Sequence, residues 1–358
     1  MEILLWIKKL PLDTADSLLI IHHWDTDGIC SAALFKEFLR ESKADLDIDC
    51  VVPVMGTYEL KPDNYYKDGN IHLPEEKKYN LIAVLDYSVP ARDIIELNKN
   101  YGVPIMVYDH HLRDPVDEDN IFYNNPVALG EPGEDWPSCT WVMKNRLGLE
   151  ITDLVILGIA ADLEERFLPE GFKKFPQIKD YIQKTGFNYE DYVKAKDFID
   201  IHYKENDREM LRKLSEEVLK LDGNPEKIMN RSDWKKKQDD HMEYLNKLIN
   251  RAPNEVIKGV LEVHEISSSK NIISTLTRKL AAQTDCRYVM VVNSGFFKDR
   301  IQIYVRRNSR KRKGDTQVFK QSADSLGGQA GGKTEVAGII LPAVKLKMFM
   351  NKIRSEFN

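Results

Sequence analysis

Aspartate and histidine recur in four short groups along the first half of the chain: His23-Trp24-Asp25-Thr26-Asp27-Gly28, Leu85-Asp86-Tyr87-Ser88, Tyr108-Asp109-His110-His111 and Ala160-Ala161-Asp162-Leu163. Carboxylates and imidazoles are the oxygen and nitrogen donors of divalent-metal sites. Five or six of them can hold two cations about 3.5–4 Å apart, the arrangement that activates a water against a phosphoester. Asp25 and Asp27, spaced i and i+2 in a loop or strand end, place two carboxylates on one side, one for each metal, and Gly28 lets the chain turn into the following helix. Asp86 closes a strongly apolar run and suits a bridging position. Imidazole binds Mn, Fe or Zn well and Mg poorly, so a mixed Asp/His set favours Mn. An aspartate after a strand is commonly just a helix N-cap, and paired histidines are commonly just half-buried polar residues. Four groups in order argue against that reading for the set, while His23 stays open between ligand and structural residue.

Each group follows an apolar run, residues 18–21, 81–85, 103–107 and 154–159, and each run reads as a strand. Residues 48–54 add another strand, and residues 31–40, 90–98 and 138–147 have helical spacing. Strands alternating with helices predict a mostly parallel sheet with helices on both faces and ligands outside the carboxyl ends of the strands. This first α/β domain is expected over residues 1–165. Residues 166–254 are dense in Lys, Glu and Asp and lack β-branched runs; with amphipathic stretches at 207–221 and 234–249 they read as a helical connector or insertion. Its charges suit a solvated face, with a docking surface for a repair or replication protein as the alternative. A second, smaller α/β domain is expected over residues 255–358, with strands at 256–265, 288–294 and 301–305 and a helix at 272–283. After the last strand come six Arg/Lys within residues 306–313 and a glycine-rich turn at 327–333.

The 358 residues exceed the usual size of one domain. An apolar fraction of 42% supplies real cores, while 30% charged residues and a mean hydropathy of −0.44 fit a soluble chain. Net charge is −5, so nucleic-acid affinity must come from a local patch. Cys30, Cys50, Cys139 and Cys286 are scattered without C-x-x-C spacing, which excludes a zinc ribbon or disulfide framework and suits a reduced compartment. No signal peptide and no run of about 18 apolar residues is found. A cytoplasmic protein without a membrane partner is expected, and an oligomer is compatible with this composition.

Asp25-Thr26-Asp27-Gly28, Leu85-Asp86, Asp109-His110-His111 and Gly158-Ile159-Ala160-Ala161-Asp162 resemble the signature of the DHH phosphoesterase superfamily. Its members include RecJ-like exonucleases, oligoribonucleases (nanoRNases), cyclic-dinucleotide phosphodiesterases and family II inorganic pyrophosphatases. Residues 301–306 and 331–338 resemble the DHH-associated C-terminal domain, in which a strand ending in Arg precedes a glycine-rich loop. The resemblance implies two Mn ions per site, with Mg as the alternate ion. Asp25 and Asp27 would bind different metals, Asp86 would bridge them, and His110 and Asp162 would complete the second. His23 stands where RecJ-like proteins often carry Asp or His, a candidate first-metal ligand. His111, with Asp109 beside it, would contact the scissile phosphate or protonate the leaving oxygen. Arg306, with Arg307, would hold a substrate phosphate through a bidentate bond, and Gly331, Gly332 and Lys333 would approach the nucleotide. The family loop usually ends Gly-Gly-Gly-His. Here Lys333 takes the His position, with Gln329 and Ala330 where glycines are expected, which changes the grip on the nucleotide rather than the metal chemistry.

The expected activity is that of a RecJ-like exonuclease of archaeal type on single-stranded DNA or RNA, 3′-to-5′, releasing mononucleotides. The basic run would engage the phosphate backbone, and Tyr304, Phe296 and Phe297 could stack bases, with core packing as the competing role. An oligoribonucleotide or cyclic-dinucleotide phosphodiesterase shares every catalytic residue but needs no basic track. A catalytically weak replication or repair adaptor of Cdc45 type is the alternative of another class, and the complete set of core ligands argues against it.

Overall fold

Apolar runs of four to six residues, too short for free-standing helices, form the centre of a parallel sheet. The computed structural model describes residues 16–42, 45–56, 60, 78–308, 310 and 314–357. They divide into two compact units: residues through Tyr203 with Asp207–Lys236, and Lys204–Asn206 with Lys237–Asn358.

In the first unit, β1 (Ser17–His22), β2 (Asp47–Val51), β3 (Leu81–Leu85), β4 (Ile105–Tyr108) and β5 (Ile121–Asn124) lie in the order β2-β1-β3-β4-β5. Every pairing is parallel, with Leu18 opposite Ile48 and Leu81, Ile82 opposite Ile105, and Ile105 opposite Ile121. β1 and β3 are buried on both faces, as parallel strands between helices must be. Strand order reverses between β1 and β3, so a crevice opens beyond their carboxyl ends. Helices α1 (Thr26–Ser42), α2 (Ala91–Tyr101), α3 (Cys139–Leu147) and α4 (Asp153–Leu163) complete the α/β frame.

Residues 154–159 correct the expectation of a fourth catalytic strand: they form the body of α4. Leu154 through Ala160 are all buried, in one core with α1 and α3. A helix packed on every side has no amphipathic period, so its short apolar run cannot be told from a buried strand. Asp162 therefore arrives from the last turn of a helix rather than from a strand end.

The charged middle of the chain forms α5 (Glu170–Lys174), α6 (Pro176–Thr185), α7 (Tyr189–Lys204), α8 (Arg208–Lys220), α9 (Pro225–Met229) and α10 (Ser232–Ile249). Ile178, Tyr192, Ile199, Leu214, Ile228 and Trp234 from these helices belong to the same buried cluster as the apolar faces of α1, α3 and α4. Much of the stretch thus packs into the first unit's core while most of its charges face outward.

The second unit holds a mixed sheet in the order β10-β11-β9-β8-β7-β6, formed by β6 (Glu255–Ile257), β7 (Leu261–Ile266), β8 (Tyr288–Asn293), β9 (Arg300–Arg307), β10 (Gln329–Gly331) and β11 (Val336–Pro342). Among the described strands of this sheet β7 and β8 alone pair in parallel, and α11 (Ile273–Gln283) supplies the crossover such a pair needs. The single strand expected at 256–265 is two antiparallel strands, because Gly259 at φ +70° turns the chain between them. Helices α12 (Gln317–Asp324) and α13 (Leu346–Phe357) pack Phe319 and Phe349 into the core of this sheet.

Trp234 is fully buried against the His202 ring, centroids 5.0 Å apart, with Arg231 over its face at 4.5 Å. Trp234→Ala is expected to destabilise the first unit by about 3–5 kcal/mol in urea unfolding. An unchanged midpoint would mean that the helical stretch is a free connector.

Candidate metal centre

The end of β1 is tied to β3 before any acidic side chain appears. His23 N donates to Leu85 O at 3.1 Å, and His22 Nδ1 donates to His23 O at 2.7 Å. The chain then turns at Asp25, whose Oδ1 accepts from Gly28 N. A Cβ at position 28 would stand 2.5 Å from His23 O, so only glycine lets α1 start this close to the strand. Asp27 falls in the first turn of α1 and is fully buried. Its carboxylate accepts two amides from the N-terminus of α3, Cys139 N at 2.7 Å and Thr140 N at 3.1 Å, where orphan donors and the helix dipole favour negative charge. On α4, Gly158 has room for no side chain: a Cβ would lie 2.1 Å from Thr140 Oγ1 and 2.4 Å from Asp27 Oδ1.

Asp86 leaves β3 at φ +55°, a left-handed conformation that few residues other than glycine adopt, and its N donates to Tyr108 O at 2.8 Å. Asp109 organises the pair of histidines after it. Its Oδ1 accepts His110 N at 2.8 Å, His111 N at 3.2 Å and His111 Nδ1 at 2.8 Å. His110 donates Nδ1 to Trp136 O, which leaves Nε2 2.8 Å from Asp162 Oδ2, 3.7 Å from Asp86 Oδ1 and 3.9 Å from Asp27 Oδ2. His23 Nδ1 stands 2.7 Å from Asp25 Oδ2 and 3.9 Å from Asp86 Oδ2.

All eight Asp and His residues singled out in the first unit therefore converge. Three sets have donor atoms within 4.8 Å of one another: His23, Asp25 and Asp86; Asp27, His110 and Asp162; and Asp86, His110 and His111. Asp86 and His110 each belong to two of them. Burial, then the Asp162 carboxylate, pushes Asp27 up to about 7. Burial and the neighbouring carboxylates, Asp27 first, drive Asp86 well above the usual range. Burial would raise Asp25 too, but the His23 imidazole overrides it and holds Asp25 at about 2. His110 moves the other way: burial opposes its charge, yet Asp162 lifts it to about 10.

Several contributors carry no sequence signal. The amides of Cys139 and Thr140, the Trp136 carbonyl and Asn125, whose Nδ2 donates to His111 O, act through backbone or through amide groups common everywhere. Arg113 and Ser88 share a cavity of about 280 Å³ with His23, Asp86 and His111, and Arg113 Nε donates to Ser88 Oγ at 2.7 Å.

The substrate-binding candidates lie in the second unit. Arg306 is half-buried on β9, opposite Val336 of β11, and Arg307 donates to Gly314 O at 2.7 Å. Gly331 ends β10. Gly332 has φ +121° and a Cβ there would strike Val336 O at 2.4 Å, so the turn requires glycine. Lys333 is exposed, while its carbonyl receives Thr316 Oγ1 and Lys320 Nζ. Tyr304 packs against the buried cluster of α11 and β8, and Phe296 and Phe297 meet edge to face. Lys311, Arg312 and Lys313 of the basic run lie outside the described residues.

Residues 17–159, which carry the parallel sheet and all of the clustered Asp and His residues but Asp162, match the DHH family, N-terminal domain. The chain as a whole shares a two-domain α/β fold with RecJ. RecJ from Thermus thermophilus in complex with manganese is similar at 17% identity and TM-score 0.63, over 99% of this chain and 54% of that one, so this chain spans about half the length of that relative. Another exonuclease RecJ bound to manganese is similar at 15% identity and TM-score 0.64, over 99% and 93%. A DHH domain from a ribosomal-protein family member is similar at 18% identity and TM-score 0.66, over 99% and 92%. No curated protein sequence matches the chain. Among the described residues no helix is long and apolar enough to cross a membrane.

Gly158→Ala should lower stability by about 1–3 kcal/mol through overpacking against Thr140 and Asp27. Urea unfolding in EDTA measures this, and an unchanged midpoint would show that the two side chains give way at no cost.

Proposed function

We propose that the chain is a metal-dependent phosphodiesterase, an exonuclease on single-stranded DNA or RNA that releases mononucleotides in the 3′-to-5′ direction. The observation that carries this reading is the sharing of Asp86 and His110 among the metal-capable sets, which suits two adjacent cation positions rather than one. The residues fit such ions. Asp86 Oδ1 is buried and accepts no hydrogen bond from the described residues, and a divalent cation would offset the repulsion that pushes Asp27 and Asp86 upward. A mixed set of carboxylates and imidazoles suits Mn better than Mg, and RecJ structures of similar fold hold manganese or magnesium.

In this reading Asp25, with His23, would hold the first ion, Asp27, His110 and Asp162 the second, and Asp86 would be shared between them. When bound, the pair supplies a water acidified for in-line attack and charge stabilisation at phosphorus. The chain's own residues do the rest. Asp109 fixes His111 through Nδ1, so Nε2 is the atom left to meet a phosphate oxygen or give a proton to the leaving group. With 44% of its side chain exposed, His111 is the member of the pair open to a substrate. Arg306 is the stronger candidate for a phosphate in the second unit, since Arg307 is engaged with Gly314 O. Gly331, Gly332 and Lys333 would bring backbone and an ammonium to the terminal nucleotide. A repair or replication protein docked through the helical middle of the chain, self-association and a cytoplasmic location belong to the same proposal.

Digestion of 5′- and 3′-labelled DNA and RNA strands and of dinucleotides, with Mn or Mg, tests it. The expected product is a ladder shortening from the 3′ end with release of mononucleotides and weaker binding at high salt. Asp86→Asn should reduce hydrolysis roughly 10³-fold, as loss of a charge-stabilising group at a reacting centre does. Dinucleotides cleaved as fast as long strands would favour the nanoRNase-type alternative, and no hydrolysis of any substrate would favour the adaptor.

A further inference from the structure

Thr26 stands between the two aspartates of the first group, and its partners come from α7, 170 and 174 residues away in the chain. Thr26 N donates to Asp200 Oδ1 at 3.1 Å, and Thr26 Oγ1 lies 2.7 Å from the same oxygen and 3.2 Å from Lys196 O. Asp200 thus caps the first turn of α1 from outside that helix, satisfying the amide that carries the chain from Asp25 to Asp27. One turn earlier on α7, Lys196 Nζ reaches Glu164 Oε1 at 2.7 Å and Asp197 Oδ1 at 3.3 Å, and stands 3.9 Å from Asp200 Oδ2. Glu164 comes two residues after Asp162 and leaves α4 at φ +47°. A single pair at i and i+4 therefore braces both ends of the ligand set, the Asp25–Asp27 turn and the Asp162 terminus.

Both side chains are almost wholly buried, Asp200 5% and Lys196 6% exposed. Burying a pair of charges carries a large desolvation cost before pairing, and apolar residues of similar volume are often as stable or more so. Ala195 and Ile199, their immediate neighbours on α7, show that this helix buries apolar side chains in the same core. Packing alone thus gives no reason for charged groups here; holding the ligands does.

We propose that Asp200 and Lys196 are positioning residues of the metal centre: they preset the Asp25–Asp27 turn and the Asp162 end so that cations bind without reordering them. This rests on the two-cation reading above. Residues that orient metal ligands from behind typically change metal affinity about 10–100-fold when removed.

The test is calorimetric titration of Mn into the full chain after EDTA treatment, with urea unfolding in EDTA run in parallel. Asp200→Leu, Thr26→Val and Lys196→Met should each weaken Mn binding by at least about tenfold. Asp200→Asn, which keeps an acceptor for Thr26, should recover most of the loss. Thr26→Val is nearly isosteric and carries the test should Asp200→Leu not fold. Wild-type Mn affinity in folded Thr26→Val and Lys196→Met overturns the proposal while leaving the two-cation reading intact. A wild-type chain that binds no Mn removes both.

Discussion

Four carboxylates and three imidazoles share a space in which no more than 4.8 Å separates the donor atoms of each set, and the like charges of the carboxylates are the constraint that the first unit must answer. Asp86 alone has Asp27, Asp25, Asp162 and Asp109 as charged neighbours, and burial and their fields together push its carboxyl far up. Such a cluster does not hold itself together. Rigid backbone must bring each group in and prevent the relaxation that would carry it back to water. The parallel sheet does this for Asp86 and Asp109, whose amides bond to the neighbouring strand ends at Tyr108 O and Asn124 O.

The remaining members of the cluster are held by helices. Asp27 is stabilised by the amides opening α3, and α3 can sit there only because α4 presents Gly158 to Thr140 and Asp27. Asp162 lies in the last turn of α4, and its backbone oxygen accepts from Arg166. The charged helices beyond α4 are part of the same construction: α7 buries Tyr192, Ala195 and Ile199 in the core that contains α4, and from that position faces the turn at Thr26. The sheet supplies the central groups, and three helices fix the outer ones.

How much of this could be read beforehand depends on the range of each interaction. The strands leading to His23, Asp86 and Asp109 were legible because a parallel strand is apolar at every position and short. Residues 154–159 have the same composition, and only three-dimensional packing tells a buried helix from a buried strand there. The second unit was legible at β8 and β9, whereas β10 and β11 were not expected: β10 is three residues of a glycine-rich turn, and β11 alternates buried and half-buried positions after it. Asp200 and Lys196 looked like members of a solvated charge run. Nothing local distinguishes them from Asp191 or Lys194 beside them, since their partners at Thr26 and Glu164 lie far away in the chain.

The glycine turn and the Asp and His cluster lie in different compact units. Every Asp and His of the candidate metal centre belongs to the first unit, while Arg306, Gly332 and Lys333 belong to the second. The second unit holds its turn through its own bonds: Thr316 and Lys320 on the carbonyls near Lys333, and a backbone approach at Gly332 that excludes any side chain. None of these bonds uses the side chain of Lys333. The bonds of the turn therefore do not depend on which side chain stands at position 333. The Asp and His cluster and the glycine turn each draw on the core of their own unit, so a change of side chain at position 333 leaves the backbone of the turn in place.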